Sequence, residues 1–173
     1  MRHIAPLTNP LLEKGFRVHE TLAGRHAFAS GEGPPGEFPF SLELYWGPER
    51  VAAFLNPFNR DAFLTAGVCG VIRAGAWVEE APCEGTLEFR SVSGAGMRVR
   101  LYFNAGSNAY EFIGRRAGLR PWDLHRTATA CYGVVYDLET GREVSRSLIY
   151  PRFPILFSLL FGCSRKPLQT PTP

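Results

Sequence analysis

From residue 39 onward the chain is dominated by alternation. PFSLELYW (39–46) sets Phe40, Leu42, Leu44 and Trp46 against Ser41, Glu43 and Tyr45. This is the period of a strand with one buried face, because successive side chains point to opposite sides of a pleated backbone. MRVRLYF repeats the pattern, with Met97, Val99, Leu101 and Phe103 on one side and Arg98, Arg100 and Tyr102 on the other. ETLAGRHAFAS precedes these two stretches and runs into GEGPPGEFP, a Gly/Pro composition that requires an exposed loop. The remaining strand-like stretches are FLTAGVCGVIRAG, WVEEAPCEGTLEFRS, NAYEFIGRRAG, RTATACYGVVYDLETG and REVSRSLIYPR, with SGAG, AGSN and ETG as turn compositions between them. GPERVAAFLN breaks the period. Pro48 fits the first turn of a helix, where its missing N–H costs nothing. Val51, Phe54 and Leu55 then share one face, so a short helix is predicted over 48–55, ending near Pro57.

Many short strands, tight turns and little helix predict an antiparallel meander. A sheet of about eight strands curls and closes, because closure removes the unpaired edges. The expected fold is all-β: an up-and-down, lipocalin-like barrel of about eight strands. The short helix follows the second strand of the meander and covers one end, and a short C-terminal helix completes the chain. An open β-sandwich is the alternative. Residues 1–17 read as an irregular arm, 18–163 as one barrel domain and 164–173 (SRKPLQTPTP) as a disordered tail. FPILFSLLFGC (153–163) is the strongest apolar run. It falls short of the roughly 20 residues that span a bilayer. It is expected to pack on the barrel as the terminal helix, so that truncation after Arg152 lowers the melting temperature. A foot on a membrane surface is the alternative, in which truncation removes liposome binding instead.

Composition narrows the classes. With 173 residues, 45% hydrophobic and 20% charged, the chain can build one globular core. The formal net charge of +3 is spread over scattered arginines, which does not make a nucleic-acid face. Cys69, Cys83, Cys131 and Cys163 have no CxxC spacing, so neither zinc nor another metal is expected, and free thiols in a reducing cytoplasm are. No dinucleotide fingerprint, P-loop, GxSxG or HExxH motif occurs, and no cofactor is expected. The densest chemistry lies in RPWDLHRTATACYGVVY (120–136). Asp123 and His125 form the best candidate acid–base pair, since a carboxylate can orient an imidazole that titrates near neutrality. A turn-forming role for Asp123 accounts for it equally well. Cys131 sits inside an apolar strand pattern and reads as a buried, inert thiol. The strand tyrosines, Tyr110 and Tyr132 among them, could line a cavity or pack in a wall.

The order of short motifs resembles an accessory domain that accompanies cholesterol-oxidase-like glucose–methanol–choline oxidoreductases in bacteria. ETLAG, VAAFL, LTAGV, EGTLEF, MRVRLYF and YEFIGRR match in sequence over about residues 18–138, with Arg116 where that pattern carries a Lys. Asp123, Leu124, Thr129 and Tyr132 keep the spacing of its last element, while His125 and Thr127 replace a Trp and an Asp. The resemblance implies association with lipid or sterol oxidation. The expected function is thus a non-catalytic module for a small apolar molecule, lipid- or sterol-like, accessory to an oxidoreductase. Arg115, Asp123, His125, Thr129, Tyr132 and Tyr110 are its candidate contacts. An isomerase or cyclase using Asp123 and His125 is one alternative. A structural interaction domain with a solid core is the other. Peripheral membrane contact is compatible with the first.

Overall fold

The computed structural model describes residues 14–90, 96–116 and 130–152. Eight antiparallel strands form a closed barrel in simple chain order. They are β1 (Val18–Phe28), β2 (Glu37–Gly47), β3 (Thr65–Ala74), β4 (Val78–Arg90), β5 (Gly96–Ala105), β6 (Asn108–Arg116), β7 (Cys131–Asp137) and β8 (Glu143–Pro151). Closure is made by β1 against β8, from Leu22 opposite Pro151 to Phe28 opposite Ser145. That pairing excludes the open sandwich. One helix, α1 (Val51–Leu55), lies between β2 and β3. No helix among the described residues is long and apolar enough to cross a membrane.

The alternation read from the sequence has the expected phase. Phe40, Leu42, Leu44 and Trp46 of β2 point inward and are buried, as are Met97, Val99, Leu101 and Phe103 of β5. Arg100 faces out and pairs with Glu111 at 2.8 Å. Pro82 lies within β4 where a ladder donor is missing; the register between β3 and β4 shifts just beyond it, at Ile72/Ala74. The β7–β8 hairpin turns at Glu139-Thr140-Gly141 as predicted. Gly141 adopts φ +68°, which suits a residue without Cβ. The Asp137 carboxylate accepts from the backbone N–H of Glu139 and Thr140.

The two ends differ in construction. One end carries short connections: 29–36, 75–77, 106–107 and 138–142. The other, the mouth, receives the arm, the long β2–β3 connection 48–64 and the outgoing end of β8. α1 is only five residues long, so a single side chain reaches the barrel. Phe54 meets Phe16 and Phe89, and these ring up with Trp46. Leu55, expected on the same face, is instead exposed, because one and a half turns cannot lay three side chains on a curved rim. The terminal helix expected at 153–163, the tail beyond it and most of the SGAG turn lie outside the described residues.

Candidate functional site

The lumen is the first place to look for a site, since eight strands enclose a space that either fills with side chains or holds one ligand. Here side chains fill it. Phe40 and Phe112 stack at 5.7 Å across the centre, with Leu22, Leu42, Ile72 and Leu101 around them, all fully buried. Phe112 fits because glycines stand beside its ring, Gly114 on its own strand and Gly133 on the neighbouring β7. A Cβ on Gly133 would overlap its ring, and one on Gly114 would approach it to 2.9 Å. The turn end is closed by Trp77 edge-on to Tyr110 at 4.8 Å and by Phe103 stacked on Tyr110 at 5.5 Å.

His26 belongs to the turn end of the lumen. Its Nε2 donates to the Gly75 carbonyl at 3.0 Å, while Nδ1 is buried without a partner. Phe28, Phe38 and Phe40 surround the ring. Burial disfavours the imidazolium and holds the His26 pKa below the usual 6.5, against a smaller opposing effect of the Gly75 bond. In the unfolded chain His26 takes up a proton near 6.5; in the fold it does so only at lower pH. Stability from this group is therefore full above pH 6.5 and falls as pH drops from there to the depressed folded value. Urea unfolding across pH 5–8 should show this slope, bounded by about 1.4 kcal/mol per pH unit for one proton. His26→Phe should flatten it; an unchanged slope in that variant contradicts the assignment.

The polar part of the lumen lies just inside the mouth. Glu20 of β1 and Arg116 of β6 point inward from non-adjacent strands and meet across the barrel, Oε1 to Nη2, at 2.7 Å. Their side chains are 4% and 5% exposed. Although close, Glu20 Oε1 makes no aligned hydrogen bond, and Arg116 Nη1 and Trp46 Nε1 are also buried without partners. Glu20, Arg116, Trp46, Met97 and Cys131 line one internal void of about 10 Å³. Burial raises the Cys131 thiol pKa; the Arg116 guanidinium opposes that in part. The Cys83 thiol is likewise pushed up, to about 12, mainly by burial. Neither is poised as a nucleophile, because the thiolate is the reactive form.

The residues singled out from the sequence are not gathered into one pocket. Tyr110 sits in the wall of the closed turn end. Arg115 and Tyr132 are register partners near the mouth, but both face outward and are exposed. They therefore belong to the outer rim and do not line the lumen. The inward cation is the next residue, Arg116. Asp123, His125 and Thr129 lie outside the described residues. His19 and His26 project to opposite faces of β1; His19 is on the outer wall, 3.3 Å from Glu43 and stacked on Tyr45. Among the described residues no cluster of His, Cys, Asp or Glu is placed to hold a metal ion.

The mouth also carries an exposed apolar feature that the sequence reading missed. Phe58, in the β2–β3 connection, is 94% exposed, and Leu55 beside it is 54% exposed. A phenylalanine in sequence carries no mark of exposure. The cue available was its flanks, since Asn56-Pro57 and Asn59-Arg60 are turn-forming and polar. No protein-family model, curated protein or solved structure matches this chain.

Proposed function

We propose that the protein is a non-catalytic binding module: a solid barrel that presents its mouth to an apolar partner. One observation carries this reading. Ligand cavities for small molecules run to about 300–1,000 Å³, whereas the void that the described residues line under the mouth is about 10 Å³. A sterol or acyl chain would have to displace Phe112, Phe40 and their neighbours, at the cost of the burial that holds the fold together. The outer surface offers more room. A groove of about 760 Å³ runs between the β2–β3 connection and the wall of β2–β4, past Ala53, Phe54, Tyr45 and Tyr102. It opens toward the connection that exposes Phe58.

A second reading, a carrier for a lipid- or sterol-like alcohol that serves an oxidoreductase, is favoured by polar atoms under the mouth that are ion-paired or bare but make no aligned hydrogen bond. Glu20 Oε1 is an acceptor; Arg116 Nη1 and Trp46 Nε1 are donors. A hydroxyl has one proton to give and two lone pairs to fill, so it complements all three. The volume admits a single water or the hydroxyl end of a ligand whose body lies outside.

Native mass spectrometry of the purified chain, with extraction of co-purifying lipid, separates these readings. The first expects the bare protein mass and no saturable uptake of hydrophobic probes at micromolar concentration. A lipid retained one-to-one, and lost on Trp46→Phe with the fold intact, would overturn it in favour of the carrier.

A further inference from the structure

The mouth combines three features that a bare contact face does not require. The first is presentation. The β2–β3 connection is held by its own hydrogen bonds: Phe58 N–H donates to Asn56 Oδ1 at 3.0 Å, Phe63 N–H to the Asn59 carbonyl at 2.8 Å, and Leu64 N–H to the Phe54 carbonyl at 2.9 Å. These bonds order the backbone and leave Phe58 at the tip, 94% exposed and covered by none of the described residues. Tyr132 and Tyr150, exposed on the outer wall one or two residues from the mouth, add aromatic rims on the opposite side of the barrel.

The second feature is charge. Among the described residues, Lys14, Arg17, Arg50, Arg60 and Arg152 stand exposed around the mouth against Glu49 and Asp61. The turn end has an excess of the opposite sign: Glu32, Glu37, Glu79, Asp137 and Glu139 against Arg25 and Arg142, which pair with Glu37 and Glu32. A molecule charged this way orients its mouth toward an anionic surface. The third is continuity. β8 delivers the chain at the mouth, and the sequence that follows Arg152 is the apolar run FPILFSLLFGC, too short to span a bilayer.

We propose that the mouth docks on an anionic lipid bilayer, with Phe58 inserted among the acyl chains and the surrounding Lys and Arg side chains against the phosphates. The proposal rests on the reading of the mouth as the contact face and names its partner. An exposed aromatic with a cationic ring is a two-signal arrangement, in which neither the apolar nor the electrostatic part anchors firmly alone.

Co-sedimentation of the full chain with phosphatidylcholine vesicles, with and without phosphatidylglycerol, tests it. Binding is expected to the anionic vesicles and to weaken at high salt. Phe58→Asp should reduce it about tenfold or more, the worth of burying one Phe side chain. It should leave the melting temperature unchanged, because Phe58 packs on none of the described residues. Phe58→Trp should bind, with its emission shifted to the blue on vesicle addition. Failure of the full chain to bind, or equal binding by Phe58→Asp, overturns the proposal. So does loss of binding on truncation after Arg152 with no effect of Phe58→Asp, since the apolar run then acts alone. If vesicles are not bound but Phe58→Asp abolishes self-association in solution, the lipid assignment falls and the contact-face reading stands. If Phe58→Asp changes neither, both fall.

Discussion

Arg116→Met is expected to destabilise the protein by about 3–5 kcal/mol, the cost of stranding a buried charge whose partner has been removed. Glu20 would remain inside the lumen, 4% exposed, facing a thioether instead of a guanidinium. The loss would be a large part of the roughly 5–15 kcal/mol that holds a typical domain together. The double variant Glu20→Leu/Arg116→Met should behave quite differently. It removes both desolvation penalties and fills the space with apolar volume, so its stability should return to within about 1 kcal/mol of the parent or exceed it. Urea unfolding at neutral pH, comparing both single variants with the double, measures the coupling directly. Additive losses would mean that the two groups do not act as a pair. Because the pair is buried, added salt should change the coupling little.

Phe112→Ala should cost about 3–5 kcal/mol as well, for a different reason: it empties the centre of the lumen. The ring is fully buried, stacks on Phe40 and occupies space left free by Gly114 and Gly133. The barrel wall is tied by hydrogen bonds on every strand and cannot collapse inward to heal the gap. The cavity should therefore persist and take up a small aromatic such as benzene, seen as a rise in melting temperature that the parent lacks. Gly133→Ala is the reciprocal change. Its added methyl overlaps the Phe112 ring and should cost about 1–3 kcal/mol by overpacking. In combination with Phe112→Leu that cost should shrink, since the smaller side chain yields the contested space. If Phe112→Ala is nearly neutral, the lumen is not the rigid, filled core described above, and the case against an internal lipid weakens with it.

The sequence by itself determined the strands, their inside and outside faces and the helix that interrupts them. Period-two alternation is local, and its phase is set by bulky apolar residues such as Phe40, Leu101 and Phe112, which have nowhere else to go. It also determined the turn at Glu139-Thr140-Gly141, since Asp137 and a glycine able to take positive φ act within five residues. Closure was legible through the number of strands and the cost of free edges. The same alternation placed Arg116 on the inward face with Tyr110, Phe112 and Gly114. The contact expected from the sequence was instead its outward neighbour Arg115; an inward Arg116 needs an opposite charge waiting inside. Only the tertiary structure decided that Glu20 waits there. β1 and β6 are not neighbours in the sheet, and the two groups face each other solely because the sheet has wrapped round. It likewise decided that the lumen is full, because a void is the difference between the volume the barrel encloses and the summed volume of its inward side chains, which no single segment encodes. The exposure of Phe58 has the same origin: whether an apolar residue is covered depends on which distant parts of the chain reach it, and on this rim none of the described ones does.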